Sequence, residues 1–370
     1  MIRSSLRPRR LPSRRGRLGL VLFIVTSAGC RQDAVTEPAT FVPTENSAIS
    51  PQTFTPPPWF LGSLPPEAVP IWNQCIADGT AAYAGTSYTQ GVNCRLIDVD
   101  GYPRRFIVYV STHLSLAPGS QIPIVFMFHG SSGSGEQFLK ISGWKEQAEQ
   151  EGFISVFPTG LKYSVLPAMR KSTKWNSFGL VDQIDTTWRV PHYPPSSPMP
   201  ADDMKFTNLM LDDLIALLPL DSHRYFSSGF SNGGEFVSRL AVEASDRLAA
   251  VGVFAGGLTE EYQPLMRIPV KLGVGTFDDR VISSVNASLL PGQDSIAELP
   301  LDADSIIQYV PTRRTGTSFA LTFDLNPGVY QTTGDSISTS MFWNTPQAGN
   351  SDGNVFEAAI LKGVSHQYPR

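Results

Sequence analysis

The run Gly229-Phe230-Ser231-Asn232-Gly233-Gly234 constrains this chain more than any other segment. It fits G-x-S-x-G, and its flanks give it a setting. Residues 224–228 have strand character, and residues 235–243 read as a helix. A serine between a strand and a helix needs a turn so sharp that glycine must leave room for the two backbones. The following helix points its N-terminus at the serine, where its dipole favours developing negative charge. The alternative is a glycine-rich turn holding an ordinary serine, so the residues downstream carry the decision.

A nucleophilic serine needs a base, and the base needs a carboxylate to orient it. The chain has five histidines: His113, His129, His192, His223 and His366. Only His366 follows both Ser231 and a candidate acid, and it stands just past an apolar run, 355–361, that reads as the last strand. The acid comes from Gly275-Thr276-Phe277-Asp278-Asp279, directly after another strand. Asp278 is the preferred carboxylate; Asp279 stays open, because spacing does not separate neighbours. The order Ser, Asp, His is that of the α/β-hydrolases. An oxyanion hole would then use the N–H of Asn232 and a second N–H from the loop after His129. Ser131 is the choice for that donor, with Ser132 as fallback. His129 itself reads as a brace for the loop.

The remaining pattern agrees with such a fold. Residues 105–110, 123–128, 153–158, 249–254 and 269–274 read as strands, and helices are expected after residue 135 and from Asp202-Asp203 onward. The two aspartates read as a helix cap rather than an acid/base pair. Strands alternating with helices predict a doubly wound, mostly parallel α/β sheet. Residues 159–200 are expected to form a long loop. Within it Trp175, Asn176, Trp188 and Tyr193 are candidates for an aromatic, substrate-binding cleft or for loop packing.

The ends and the charge narrow the setting. Seven arginines, a short apolar core at 18–25 and Ser27-Ala28-Gly29-Cys30 make residues 1–30 an export signal, lipoprotein-like, with Cys30 as the lipidation site; cleavage and release is the alternative. Residues 31–58, rich in Pro, Thr and Ser, are expected to be a disordered tether. Residues 59–370 then form one catalytic domain. Without the first 29 residues, which hold no acid, the formal charge changes from −4 to −11. That balance argues against nucleic acid or anionic membrane surfaces as partners, leaving the membrane only through the anchor at Cys30. Cys75 and Cys94 are expected to form a disulfide in an exported chain. No pattern supports a metal site, and no cofactor is required.

The chain resembles the secreted polyhydroxybutyrate depolymerase and feruloyl/acetylxylan esterase family of α/β-hydrolases. The resemblance is carried by Phe128-His129-Gly130, Phe157-Pro158, Trp175-Asn176, Asp202-Asp203, Gly229 to Gly234, Gly275 to Asp278 and Gly363 to Pro369. It covers about residues 100–280 and the final 15. It implies the triad Ser231, Asp278 and His366, and favours Asp278 over Asp279. It implies a serine ester hydrolase acting through an acyl-enzyme on feruloyl or acetyl esters of polysaccharide fragments. Polyhydroxyalkanoate or other polyester oligomers are the second substrate class. A serine peptidase and a silent binding protein on the same scaffold are the further alternatives. An insertion at about 282–345, with β character at 318–323, departs from the family core.

Overall fold

Strand runs and amphipathic helices alternate along the chain, and in the computed structural model they build one large sheet covered on both faces. The structure describes residues 54–258, 262–278, 322–323, 331–334, 338–345 and 354–368. Cys30, Asp279 and most of the expected tether and insertion lie outside them.

The first strands are β1 (Ala81–Tyr83), β2 (Gly91–Val99), β3 (Tyr102–Val110), β4 (Ile122–Phe128) and β5 (Ile154–Pro158). A hairpin follows, β6 (Leu161–Val165) and β7 (Arg170–Lys174). Then come β8 (Leu220–Phe230), β9 (Ala250–Phe254), β10 (Val270–Phe277), β11 (Gln331–Gly334), β12 (Ser338–Thr345) and β13 (Asn354–Ser365). The helices are α1 (Phe60–Ser63), α2 (Val69–Ala77), α3 (Gly135–Ile141), α4 (Trp144–Glu151), α5 (Asp203–Leu217) and α6 (Asn232–Glu243).

The large sheet runs β1-β2-β3-β5-β4-β8-β9-β10-β13-β12-β11. From β5 to β13 the neighbours are parallel, while β2, β3 and β5 pair antiparallel. This is the α/β-hydrolase arrangement. The order reverses between β5, β4 and β8, so the C-terminal ends of β4 and β8 open onto the crevice where such sheets hold their sites.

Alternation along β3 decides which helices cover which face. Phe106, Val108 and Val110 pack with Phe206, Met210 and Leu214 of α5 and Phe236 of α6. Ile107 and Tyr109 turn the other way, towards Trp72 of α2, Phe138 of α3 and Ala148 of α4. Asp202 caps α5, its carboxylate accepting from the N–H of Lys205 at 2.8 Å.

Four expectations need correction. Residues 159–200 are not one loop, because β6 and β7 pair as an antiparallel hairpin around the fully buried Tyr163. The helix after residue 135 is two helices, separated at Gly143, whose φ of 78° a helix cannot continue through. Residues 54–58 are part of the folded domain rather than of a tether, with Phe54 stacked on Trp72 at 6.2 Å. In the stretch from 318 to 323 only Thr322 and Phe323 are described, and they are helical rather than extended. The added β structure is instead β11 and β12, laid antiparallel beyond β13.

Cys75 on α2 and Cys94 on β2 form a disulfide, with Cα atoms 6.0 Å apart. It closes a loop of 19 residues at the edge of the sheet. Replacing both cysteines by alanine is expected to lower the unfolding free energy by about 3 kcal/mol. Urea denaturation of the two proteins checks this; equal midpoints would mean that the bridge adds nothing to stability.

Candidate active site

Ser231 stands at the turn between β8 and α6 with φ 52° and ψ −122°, a backbone state that side-chain-bearing residues rarely adopt. Two glycines allow it. A Cβ on Gly229 would lie 2.3 Å from the carbonyl oxygen of Gly233, and one on Gly233 would lie 2.3 Å from that of Phe128. The turn is held by Ser231 N–H donating to Phe254 O at 2.8 Å and by Glu235 N–H donating to Ser231 O at 2.9 Å.

The structure brings Ser231, His366 and Asp278 together. Ser231 Oγ lies 2.9 Å from His366 Nε2, and His366 Nδ1 lies 2.9 and 3.1 Å from the two oxygens of Asp278. A carboxylate only accepts, so the proton belongs on Nδ1 and leaves Nε2 free to accept from the serine. Asp278 is fully buried at the end of β10, and the His366 side chain keeps 16% exposure. A register shift between Gly275 and Phe277 lets β10 and β13 diverge just where the acid and base leave the sheet. The N–H of Gly363 donates to Thr276 Oγ1 at 2.8 Å and ties the two strand ends. Tyr368, two residues beyond the base, accepts from Trp144 Nε1 at 2.9 Å and packs against Phe230. Sequence reasoning gave Tyr368 no role, because its partners lie 140 and 224 residues away.

The loop after β4 is braced from below. The His129 ring is fully buried; its Nδ1 lies 2.7 Å from Gly130 O, and its Nε2 accepts from Gly160 N–H at 2.9 Å. These partners demand the neutral ring, and burial pushes its pKa down to about 4. Ser132 N–H donates to Thr173 O at 2.9 Å, so the fallback oxyanion donor is used inside the fold. The N–H groups of Ser131 and Asn232 make no hydrogen bond among the described residues.

Neither Trp175 nor Asn176 lines the described cavity at Ser231 and His366, and Trp175 belongs to the core rather than to a cleft. Trp175 is fully buried, stacked on Phe236 at 5.5 Å, with Nε1 donating to His129 O. Asn176 donates its N–H to Asp203 Oδ2 and its side-chain N–H to Ala201 O. Asp203 also meets Arg104 at 2.7 Å in a buried ion pair. Burial pushes the Asp203 carboxyl up against the pull of Arg104. Asn232 contributes a side chain as well as its backbone: Oδ1 accepts from Trp175 N–H at 2.7 Å and Nδ2 donates to Glu235 and Ser177. These residues pin the 175–177 segment onto the elbow. Tyr193 is buried with Leu161 and Tyr163, whereas Trp188 lines a cavity beside the site.

Ser231 and His366 open onto a cavity of about 450 Å³. Ser131, Ser132 and Phe230 line it, with Val165, Leu166 and Ala168 as an apolar wall from the β6–β7 hairpin. Among the described residues no group of three or more His, Cys, Asp or Glu side chains could hold a metal ion.

No family model matches this chain. It is similar to "Putative esterase NocK" of Nocardia uniformis subsp. tsuyamanensis, 24% identical over 261 residues, covering 70% of this chain and 62% of that protein. It is also similar to a bifunctional acetylxylan esterase/xylanase of Neocallimastix patriciarum, 22% identical over 228 residues, covering 60% of this chain and 29% of that protein. The matched region thus spans less than two thirds of either relative. Among solved structures, an acetyl xylan esterase from Aspergillus awamori aligns over 72% of this chain and 90% of its own, at 14% identity and a TM-score of 0.44.

His129 gives the site a pH signature. Its pKa is about 4 in the folded protein and about 6.5 in the unfolded chain, so between these values the unfolded state binds more protons. Stability therefore falls as pH drops through this window. The difference in unfolding free energy between the wild type and His129→Asn is expected to shrink by about 3 kcal/mol from pH 7 to pH 4. Parallel pH dependence of the two proteins would contradict the brace.

Proposed function

We propose that this protein is a serine carboxylic-ester hydrolase working through an acyl-enzyme. The observation that carries the reading is the hydrogen-bonded chain from Ser231 through His366 to buried Asp278, opening onto a cavity. Ser231 attacks the ester carbonyl, and His366 Nε2 takes its proton. Asp278 keeps the imidazole oriented and stabilises it while charged. The N–H groups of Ser131 and Asn232 receive the oxyanion, with α6 behind Asn232 adding its positive end. His366 then protonates the leaving alkoxide, and water attacks the acyl-enzyme by the same route. Similarity to two esterases supports the reaction class.

For the substrate we favour feruloyl or acetyl esters on polysaccharide fragments, in keeping with the acetylxylan esterase among the relatives. The apolar wall of Val165, Leu166 and Ala168 also suits short polyester oligomers, the second reading. Export with a lipid anchor at Cys30 is part of the proposal, and the Cys75–Cys94 bridge fits an oxidising compartment.

The test is hydrolysis of p-nitrophenyl acetate and butyrate, methyl ferulate, acetylated xylan and a hydroxybutyrate oligomer. Ser231→Ala is expected to lower kcat by about 10⁴-fold or more and to abolish labelling by a fluorophosphonate. The best substrate chooses between the polysaccharide and polyester readings. An alanine variant that kept its activity, or a folded wild type inert on every ester, would sink the proposal.

A further inference from the structure

The cavity that holds Ser231 and His366 has a neighbour. Ser132 and Ser172 line both, and their hydroxyls, 2.9 Å apart, stand where the two meet. The second cavity has a volume of about 550 Å³, within the range of sites that hold small molecules. Its aromatic walls come from three segments: Trp59 ahead of α1, Tyr102 at the start of β3, and Trp188 and His192 between β7 and α5.

An indole N–H in a folded domain usually finds a partner. Trp72 Nε1 donates to Glu136 at 2.8 Å, Trp144 Nε1 to Tyr368 at 2.9 Å and Trp175 Nε1 to His129 O at 2.9 Å. Trp59 and Trp188, which line the second cavity, have no partner for theirs among the described residues. The hydroxyl of Tyr102 has none either, whereas those of Tyr109 and Tyr193 donate to Glu149 and Pro198 O. None of the three unpartnered atoms is sealed from solvent. Burial pushes the Tyr102 hydroxyl pKa up, so the group stays protonated and able to donate.

These donors are held on a firm wall. Trp59 stacks on His192 at 4.6 Å and on Tyr102 at 5.6 Å, and Tyr102 leans on Tyr193 at 5.3 Å. The Lys171 ammonium lies 4.1 Å from the centre of the Trp188 ring. Glu67, also on the lining, supplies an acceptor. A ligand for such a site needs apolar faces for the rings and groups that both donate and accept. A polyester chain offers acceptors only. A saccharide offers C–H faces and hydroxyls of both kinds.

We propose that the second cavity binds the saccharide that carries the ester, held by the N–H groups of Trp59 and Trp188 and the hydroxyl of Tyr102. The inference rests on the esterase reading of Ser231 and divides the substrate between two cavities. The acyl group lies against Val165, Leu166 and Ala168, and the alcohol passes over Ser132 and Ser172.

The test separates binding from turnover. Xylotetraose, cellotetraose and mannotetraose are titrated calorimetrically into Ser231→Ala, and at least one is expected to bind with a Kd of about 1 mM or below. Adding Trp188→Ala should weaken that binding about tenfold, and adding Tyr102→Phe, which removes one hydroxyl and keeps the ring, about threefold. With Ser231 restored, kcat/KM is measured on the acetylated form of the tetrasaccharide that binds best and on p-nitrophenyl acetate, which carries the same acyl group. The ratio of the first to the second should fall about tenfold in Trp188→Ala. Should that variant not fold, Tyr102→Phe gives the same readings at about threefold. Binding of no tetrasaccharide, or binding and a ratio that neither substitution moves, overturns the proposal and leaves the esterase reading standing. Turnover of neither ester by the wild type sinks the esterase reading instead, while the titrations still decide whether the cavity takes a saccharide.

Discussion

Ser231 is held in a backbone state that costs on the order of 1–3 kcal/mol, and much of the surrounding architecture exists to hold it there. The strand and helix on either side approach so closely that a single Cβ at Gly229 or Gly233 would strike a carbonyl. Phe254 on the neighbouring strand accepts the serine's N–H, so the turn cannot relax without unpairing β8 from β9. The Asn232 side chain then fastens the 175–177 segment across the elbow, and Trp175 in turn donates to the carbonyl of His129. Strain at one residue is thereby spread over four separate segments of chain.

Much of this was legible from residue types alone. The elbow announces itself because only glycine fits two backbones that close together. The central strands are legible because continuous apolar runs such as 123–128 suit a strand covered on both faces. The capping of α5 by Asp202 is a local effect, so it could be read locally.

What escaped reading has a common cause: it depends on partners far away. β7 reads Arg-Lys-Ser-Thr-Lys, with no apolar alternation, and becomes a strand only because β6 offers a backbone to pair with around buried Tyr163. Trp175 and Asn176 have the composition of a ligand platform, yet the tryptophan fills the core and the asparagine serves a buried carboxylate. An aromatic in a loop carries no mark of the direction in which it turns. The link from Tyr368 to Trp144 joins residues 224 positions apart, and no periodicity reports it.

The position of the base has a consequence for timing. His366 reaches Ser231 across 135 residues from just past β13, with Tyr368 locking the segment behind it. During synthesis the elbow, its glycines and the brace around His129 can all form while the hydrogen-bond chain is still broken. The serine acquires its partner only when β13 pairs with β10. A growing chain therefore carries an unarmed serine for the 135 residues that separate it from its base.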